Sequence, residues 1–228
     1  MQLETSAVRF RDGAVQPEFT QVELVADDPA KGLGKASRDR LMVTQLGKII
    51  GGVSRQLDLV SAYFVPGREG ATFFESLAKQ GKSIRVLTNA MNTTDVLVVH
   101  AGYAKYRREL LQAGVELFEL KLRAGQPTGR KELKPLGLSG AALHAKTFAI
   151  DDKRVFDSPS LAADTRQLFD GPLEYAAYRP VLTPEGKMVW KEAFEDGHTE
   201  VHQQEPGAGW VKRIVLTVAG WLPIEWML

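Results

Sequence analysis

Between residues 57 and 120 the chain alternates three short apolar runs with two amphipathic stretches, and this pattern restricts its fold more than any other feature. "LDLVSAYF" (57–64) reads as a buried strand ended by Pro66-Gly67. "EGATFFESLAKQ" (69–80) carries helical spacing and stops at Gly81. "SIRVLTN" (83–89) is a second strand, a long helix follows over about 94–113 up to Gly114, and "VELFEL" (115–120) is a third strand. Strand, helix, strand, helix, strand is the order that crossover helices impose on parallel neighbours, so the fold class is α/β.

The flanking segments are read from the same signals. Residues 1–35 form a polar, turn-rich lead-in, and Ser37 is expected to cap a helix reaching Ile50, with Leu41, Leu46, Ile49 and Ile50 on one face. Residues 121–142 make a long loop rich in Gly, Pro, Lys and Arg, of a length that is usually functional or disordered. "ALHAKTFAI" and "RVF" read as a hairpin turning at Asp151-Asp152-Lys153, and residues 158–170 suit a helix capped by Ser158 or Ser160. A second hairpin turns at Pro184-Glu185-Gly186, "TEVHQQE" suits a further strand, and the apolar end carries Trp210, Trp221 and Trp226. The expected organisation is a lead-in at 1–35, a main domain at 36–183, and a hairpin with an amphipathic tail at 184–228.

Composition removes several function classes. A chain of 228 residues buries one good core. Its net charge of +1 gives no global basic field, so a nucleic-acid partner is not expected. The absence of cysteine excludes disulfides and thiolate metal sites. "MQLETSAVRFRDG" lacks a positive region followed by an apolar one, so no signal peptide is expected, and no apolar run reaches the roughly 18 residues of a membrane-spanning helix.

Chemistry concentrates in "LHAKTFAIDDKRVF" (143–156), where His144, Lys146 and Asp151 follow the spacing H-x-K-x-x-x-x-D in a strand-like run. On a strand His144 and Lys146 share a face, so an imidazole and an ammonium can act on one phosphate. One attacks phosphorus and the other steadies the equatorial oxygens. Asp151, at the turn, is placed to orient its neighbours. The structural alternative is a half-buried histidine beside a solvated lysine and a turn aspartate.

"HAKTFAIDDKRVF" resembles the second HKD motif of the phospholipase D superfamily. "LVSAYFVPGREG", "VLTNAMNTTDVLVVHAGYAKYRRELLQAGVELFEL" and "WLPIEWML" are similar to its bacterial cardiolipin synthase-like branch, so the resemblance covers nearly the whole chain and points to the C-terminal half of such a protein. The resemblance implies a mixed, largely parallel sheet flanked by helices, with a C-terminal β-hairpin and an apolar helix. It implies a phosphatidyltransferase or phosphodiesterase acting on a phosphatidylglycerol-like phospholipid, at a bacterial cytoplasmic membrane surface to which the protein is peripheral. It also implies a phosphohistidine intermediate and no metal or cofactor. His144 then matches the motif's histidine, Lys146 its phosphate-binding lysine and Asp151 its aspartate.

The chain departs from this pattern twice. It holds one HKD motif, so the second must come from an N-terminal half or a dimer partner. It also joins Phe156 directly to Asp157, where family members carry a G-S-x-N segment, an Arg-Ser pair and a strand bearing a glutamate, so one strand is expected to be missing after Phe156. Two alternatives to a phospholipid enzyme follow: a catalytically incomplete or inactive half-protein needing a partner, and a dimeric nuclease-type phosphodiesterase using Arg123, Arg130, Lys131 and Lys134.

Four further residues are candidates for substrate binding. Asn89 ends a strand, where ligands gather in open α/β sheets. Tyr63 closes the first strand and could line the same crevice, and the resemblance adds Asp95 and His100. His198 and His202, four apart, look like a metal pair at helical spacing, but their region reads as a surface strand with no third ligand.

Overall fold

A computed structural model describes residues 28, 30, 33, 35–37, 39, 41–94, 96–121, 146–151, 153–154, 159–207 and 209, with backbone alone for Val43 and for residues 153, 154 and 159–163. The loop at 122–145 with His144, the position Asp95, the join at 155–158 and the apolar end at 210–228 lie outside the described residues.

The described elements, in chain order, are helix α1 (Met42–Gly51), strand β1 (Gln56–Ser61), α2 (Gly67–Lys79), β2 (Ser83–Asn89), α3 (Leu97–Gln112) and β3 (Glu116–Leu120). They continue with β4 (Lys146–Ile150), β5 (Lys153–Arg154), α4 (Pro159–Asp170), the single-turn α5 (Leu173–Ala176), β6 (Ala177–Leu182), β7 (Met188–Ala193) and β8 (Thr199–His202). The eight strands form one mixed sheet of order β5-β4-β1-β2-β3-β6-β7-β8. β1, β2 and β3 are parallel, as the crossover helices require, while β4 and β6 flank them antiparallel.

Gly81 and Gly114 end α2 and α3 at φ of 82° and 92°. Glycine alone enters this left-handed region without steric penalty. α1 departs from expectation. It starts at Met42 with Leu41 before it and no side-chain cap, so Ser37 does not cap it. Arg38, Asp39 and Arg40 supply no apolar face, and the helix begins where its packing stripe begins. In α4, Ser160 lies within the helix, so it is not a flanking cap, and Ser158 lies outside the described residues. The two-residue β5 stands at the sheet edge, and no further strand is described between it and α4.

Alternation along the strands gives each face of the sheet its own core. Leu57, Leu59, Ile84, Val86 and Leu117 meet α1, α2 and α3 on one face. Val60, Leu87, Phe118 and Leu120 meet α4 and α5 on the other. Each core also contains a buried arginine. On the α3 face Arg107 pairs with Glu119 of β3 at 3.1 Å and with Glu205, beyond β8, at 2.7 Å. Tyr103 and Trp190 donate to the two oxygens of Glu119, both at 3.0 Å, and the Arg107 guanidinium stacks between their rings. On the α4 face Arg85 grips Asp58 through two contacts of 2.6 and 2.8 Å and also reaches Asp170, the last residue of α4.

Removing one partner from such a cluster strands the others without solvent. Arg107→Ala is therefore expected to lower unfolding free energy by about 3–5 kcal/mol in urea denaturation. Joint replacement, Arg107→Met with Glu119→Gln and Glu205→Gln, is expected to lose less than Arg107→Ala alone.

Candidate active site

β4 runs against β1, so it begins where β1 ends. Lys146, its first residue, is paired with Ser61, the last residue of β1. Asn89 ends β2 one strand away, and Tyr63 lies two residues past the end of β1. Three expected site residues thus share the C-terminal edge of the parallel strands, the customary place for ligands in such sheets. The Lys146 ammonium lies 5.8 Å from the centroid of the Tyr63 ring. Asn89 is buried and donates from Nδ2 to the Ala62 carbonyl at 3.3 Å, tying the ends of β1 and β2 together.

Asp151 is held at the other end of β4. Its carboxylate accepts from the amides of Ser54, Arg55 and Gln56 at 3.0, 2.7 and 3.0 Å and from the Ser54 hydroxyl at 2.9 Å. Its own amide donates to the Gln56 carbonyl at 2.8 Å. The residue adopts φ 53°, which aspartate tolerates better than most side chains. Partial burial opposes ionisation, but the donors from Gln56, Ser54 and Arg55 outweigh it and hold the carboxyl at about 2. This carboxylate pins the turn before β1 to the turn after β4. Ser54 was not foreseen: its partner lies 97 positions away, and the turn it occupies carries no local sign of the contact.

His100 is placed elsewhere. It sits buried on α3, with Nε2 2.6 Å from Glu205 and its ring against Tyr103. That is the α3 face of the sheet, whereas Asn89 alternates with Leu87 toward the α4 face. His100 is held on the α3 face by Glu205, Arg107 and Tyr103.

The two later histidines do not converge. His198 bonds Asp196 and stacks on Phe194, whereas His202 bonds Glu192 at 2.9 Å. Among the described residues Glu192, Glu200 and His202 bring one ligand atom each within 4.8 Å of one another. Lys121 already donates to Glu192 at 2.6 Å, so the group is explained as an ion-pair network.

Chemically, the edge offers an exposed ammonium steadied by an aromatic ring, beside a buried amide and next to the sequence position of His144. Among the described residues no carboxylate pairs with Lys146.

The family model described as "Cardiolipin synthase, PLD-like domain" matches residues 46–169, more than half of the chain. The chain belongs to this PLD-like family. It is 36% identical over 241 residues to "Cardiolipin synthase C" of Escherichia coli K12, which covers 95% of this chain and 50% of that protein. Uncharacterized proteins of Helicobacter pylori strains 26695 and J99 are each 23% identical over 175 residues, covering 69% of this chain and 34% of theirs. The chain thus spans about half the length of the Escherichia coli relative and about a third of the other two. The first of these alignments is longer than the chain's 228 residues, so that relative has positions without a counterpart here. The PLD-like match extends from α1 through α4 and includes Tyr63, Asn89, Lys146 and Asp151.

The depressed pKa of Asp151 fixes the sign of a pH effect. Its contribution is fully present above the ordinary carboxylate value of about 3.9 and is lost as pH falls toward the folded value. Asp151→Asn is expected to lower the urea midpoint at pH 6, and the gap from the unsubstituted chain is expected to close between about pH 4 and pH 2. Paired denaturation curves across that range test it.

Proposed function

We propose that the chain supplies one half of a phospholipase D-type site that moves a phosphatidyl group between alcohols, or to water, on a phosphatidylglycerol-like phospholipid. The observation that carries this reading is Lys146 at the C-terminal edge of the sheet, within the H-x-K-x-x-x-x-D spacing and without a carboxylate partner among the described residues. The 36% identity to a protein named cardiolipin synthase supports the substrate class.

In this reading an imidazole nitrogen of His144 attacks phosphorus, and the bond from phosphorus to the leaving alcohol's oxygen breaks. A histidine of a second HKD motif, from an N-terminal half or a dimer partner, protonates that oxygen. The same histidine then takes the proton of an incoming alcohol or water, whose oxygen displaces His144 from phosphorus. Lys146 neutralises charge on the phosphoryl oxygens throughout. Asp151 holds the strand that carries Lys146. Tyr63 and Asn89 form the rim, and Asp95 belongs to the same segment by resemblance; His100, bonded to Glu205, supports α3 from within the core in this reading. The membrane surface supplies the substrate. The tryptophan-rich stretch 210–228 has the composition of an interfacial contact, giving a peripheral protein. Among the described residues no helix is long and apolar enough to cross a membrane.

A second reading has a specific observation in its favour. Positions of the Escherichia coli relative that have no counterpart inside the aligned stretch suit a site that is incomplete and inactive without a partner. A nuclease-type dimer finds less support, because the net charge of +1 offers little to a phosphate backbone.

Incubation with phosphatidylglycerol radiolabelled in its phosphate separates the readings. The catalytic reading expects acid-labile label on the chain, abolished by His144→Ala and strongly reduced by Lys146→Ala. A folded chain that takes up no label supports the inactive half. Recovery of labelling on adding a second HKD-bearing half would restore the catalytic reading.

A further inference from the structure

Tyr63 stands beside Lys146 at the candidate site, and its role rests on the phosphodiester reading of that site. We propose that Tyr63 is the positioning residue for Lys146, with the face of its ring, not its hydroxyl, holding the ammonium ready for a phosphoryl oxygen.

The chain contains an internal comparison. Arg68, Arg85, Lys105, Arg107, Lys121 and Arg179 also lie over aromatic rings. Arg68, Arg85, Arg107, Lys121 and Arg179 are paired with a carboxylate as well: Glu109, Asp58, Glu119, Glu192 and Glu116 respectively. Lys146 has the ring and, among the described residues, no carboxylate.

The difference has a chemical consequence. A carboxylate would orient the ammonium but would also neutralise it and compete with an incoming phosphate. A ring attracts the cation through its quadrupole and leaves the full positive charge for the ligand. Lys146 also needs orienting, because a solvent-exposed four-carbon side chain has many rotamers to lose when it binds.

Tyr63 is itself anchored. Its half-buried ring packs on the core of Val60, Ala62, Leu87 and Phe118, and the Ala62 carbonyl just before it accepts the Asn89 amide. The pairing of Ser61 with Lys146 then brings the strand ends side by side, so ring and ammonium meet without either being mobile at its root. The ring is a fixed platform on which a flexible cation rests.

The test uses the full chain with 13C-labelled lysine, the Lys146 ε-methylene signal being assigned by its loss in Lys146→Arg. Ring current is expected to move that signal upfield of exposed lysines. Tyr63→Phe is expected to keep the shift, and Tyr63→Leu to abolish it in a chain whose circular dichroism is unchanged. Titration with inorganic phosphate is expected to move the signal with similar affinity in Tyr63→Phe and about two- to fivefold weaker affinity in Tyr63→Leu. An upfield shift that survives Tyr63→Leu, is absent from the unsubstituted chain, or disappears equally in Tyr63→Phe would overturn the role of the ring. Phosphate that leaves Lys146 unmoved in the unsubstituted chain would instead overturn the phosphate-binding reading on which that role depends.

Discussion

Charge burial at Arg107 is the constraint on which most of this architecture depends. A guanidinium and two carboxylates taken out of water are tolerable only when all find one another, and here they come from three distant parts of the chain: α3, β3 and the stretch after β8. Trp190 of β7 completes the set by satisfying the second oxygen of Glu119. No subset of these elements can close around the others without leaving an unpaired buried charge. The outer hairpin is thereby bound into the same cooperative unit as the parallel strands. Burial opposes ionisation of Glu205, but Arg107 and His100 outweigh it and hold its carboxyl at about 2, whereas burial raises the carboxyl of Glu119 above its ordinary value despite Arg107.

Arg85 does related work beneath α4. Its contacts with Asp58 and Asp170 fix the end of that helix over β1 and β2, and its guanidinium covers the Phe169 ring. Arg107 thus ties α3 and the outer hairpin to one face of the sheet, and Arg85 ties α4 to the other. An anion site of the kind proposed for Tyr63, Asn89 and Lys146 would benefit from such bracing, because binding gains little affinity if the surrounding backbone must also be ordered.

The central strands and helices were legible because they rest on local signals: apolar alternation, helical spacing, and glycine at positions 81 and 114. The order of strands was less so. Nothing near Lys146 states that β4 lies against β1, and that choice is made by contacts such as Asp151 with Ser54, nearly a hundred residues apart. Charged residues on α3 and β3 look solvent-facing by type, so the pairing of Arg107 with Glu119 was invisible until the elements were packed. His100 illustrates the reverse. The family resemblance suggested the crevice for it, but α3 turns it inward against Tyr103 and Glu205. Tyr63 and Asn89 were readable from strand ends and Lys146 from its motif spacing, whereas the ring-to-ammonium contact that joins two of them was not.

Lys146 and Asp151 are close in sequence but stand at opposite ends of β4, roughly 17 Å apart at the usual rise per strand residue. The interval between them is therefore a length and not a cluster: one letter of the motif is a clamp and the other is a pointer. Side chains inside that interval can vary, provided they suit the sheet. The number of residues cannot, because a single insertion or deletion between clamp and pointer would turn Lys146 to the opposite side of the strand. The motif measures the strand it is written on.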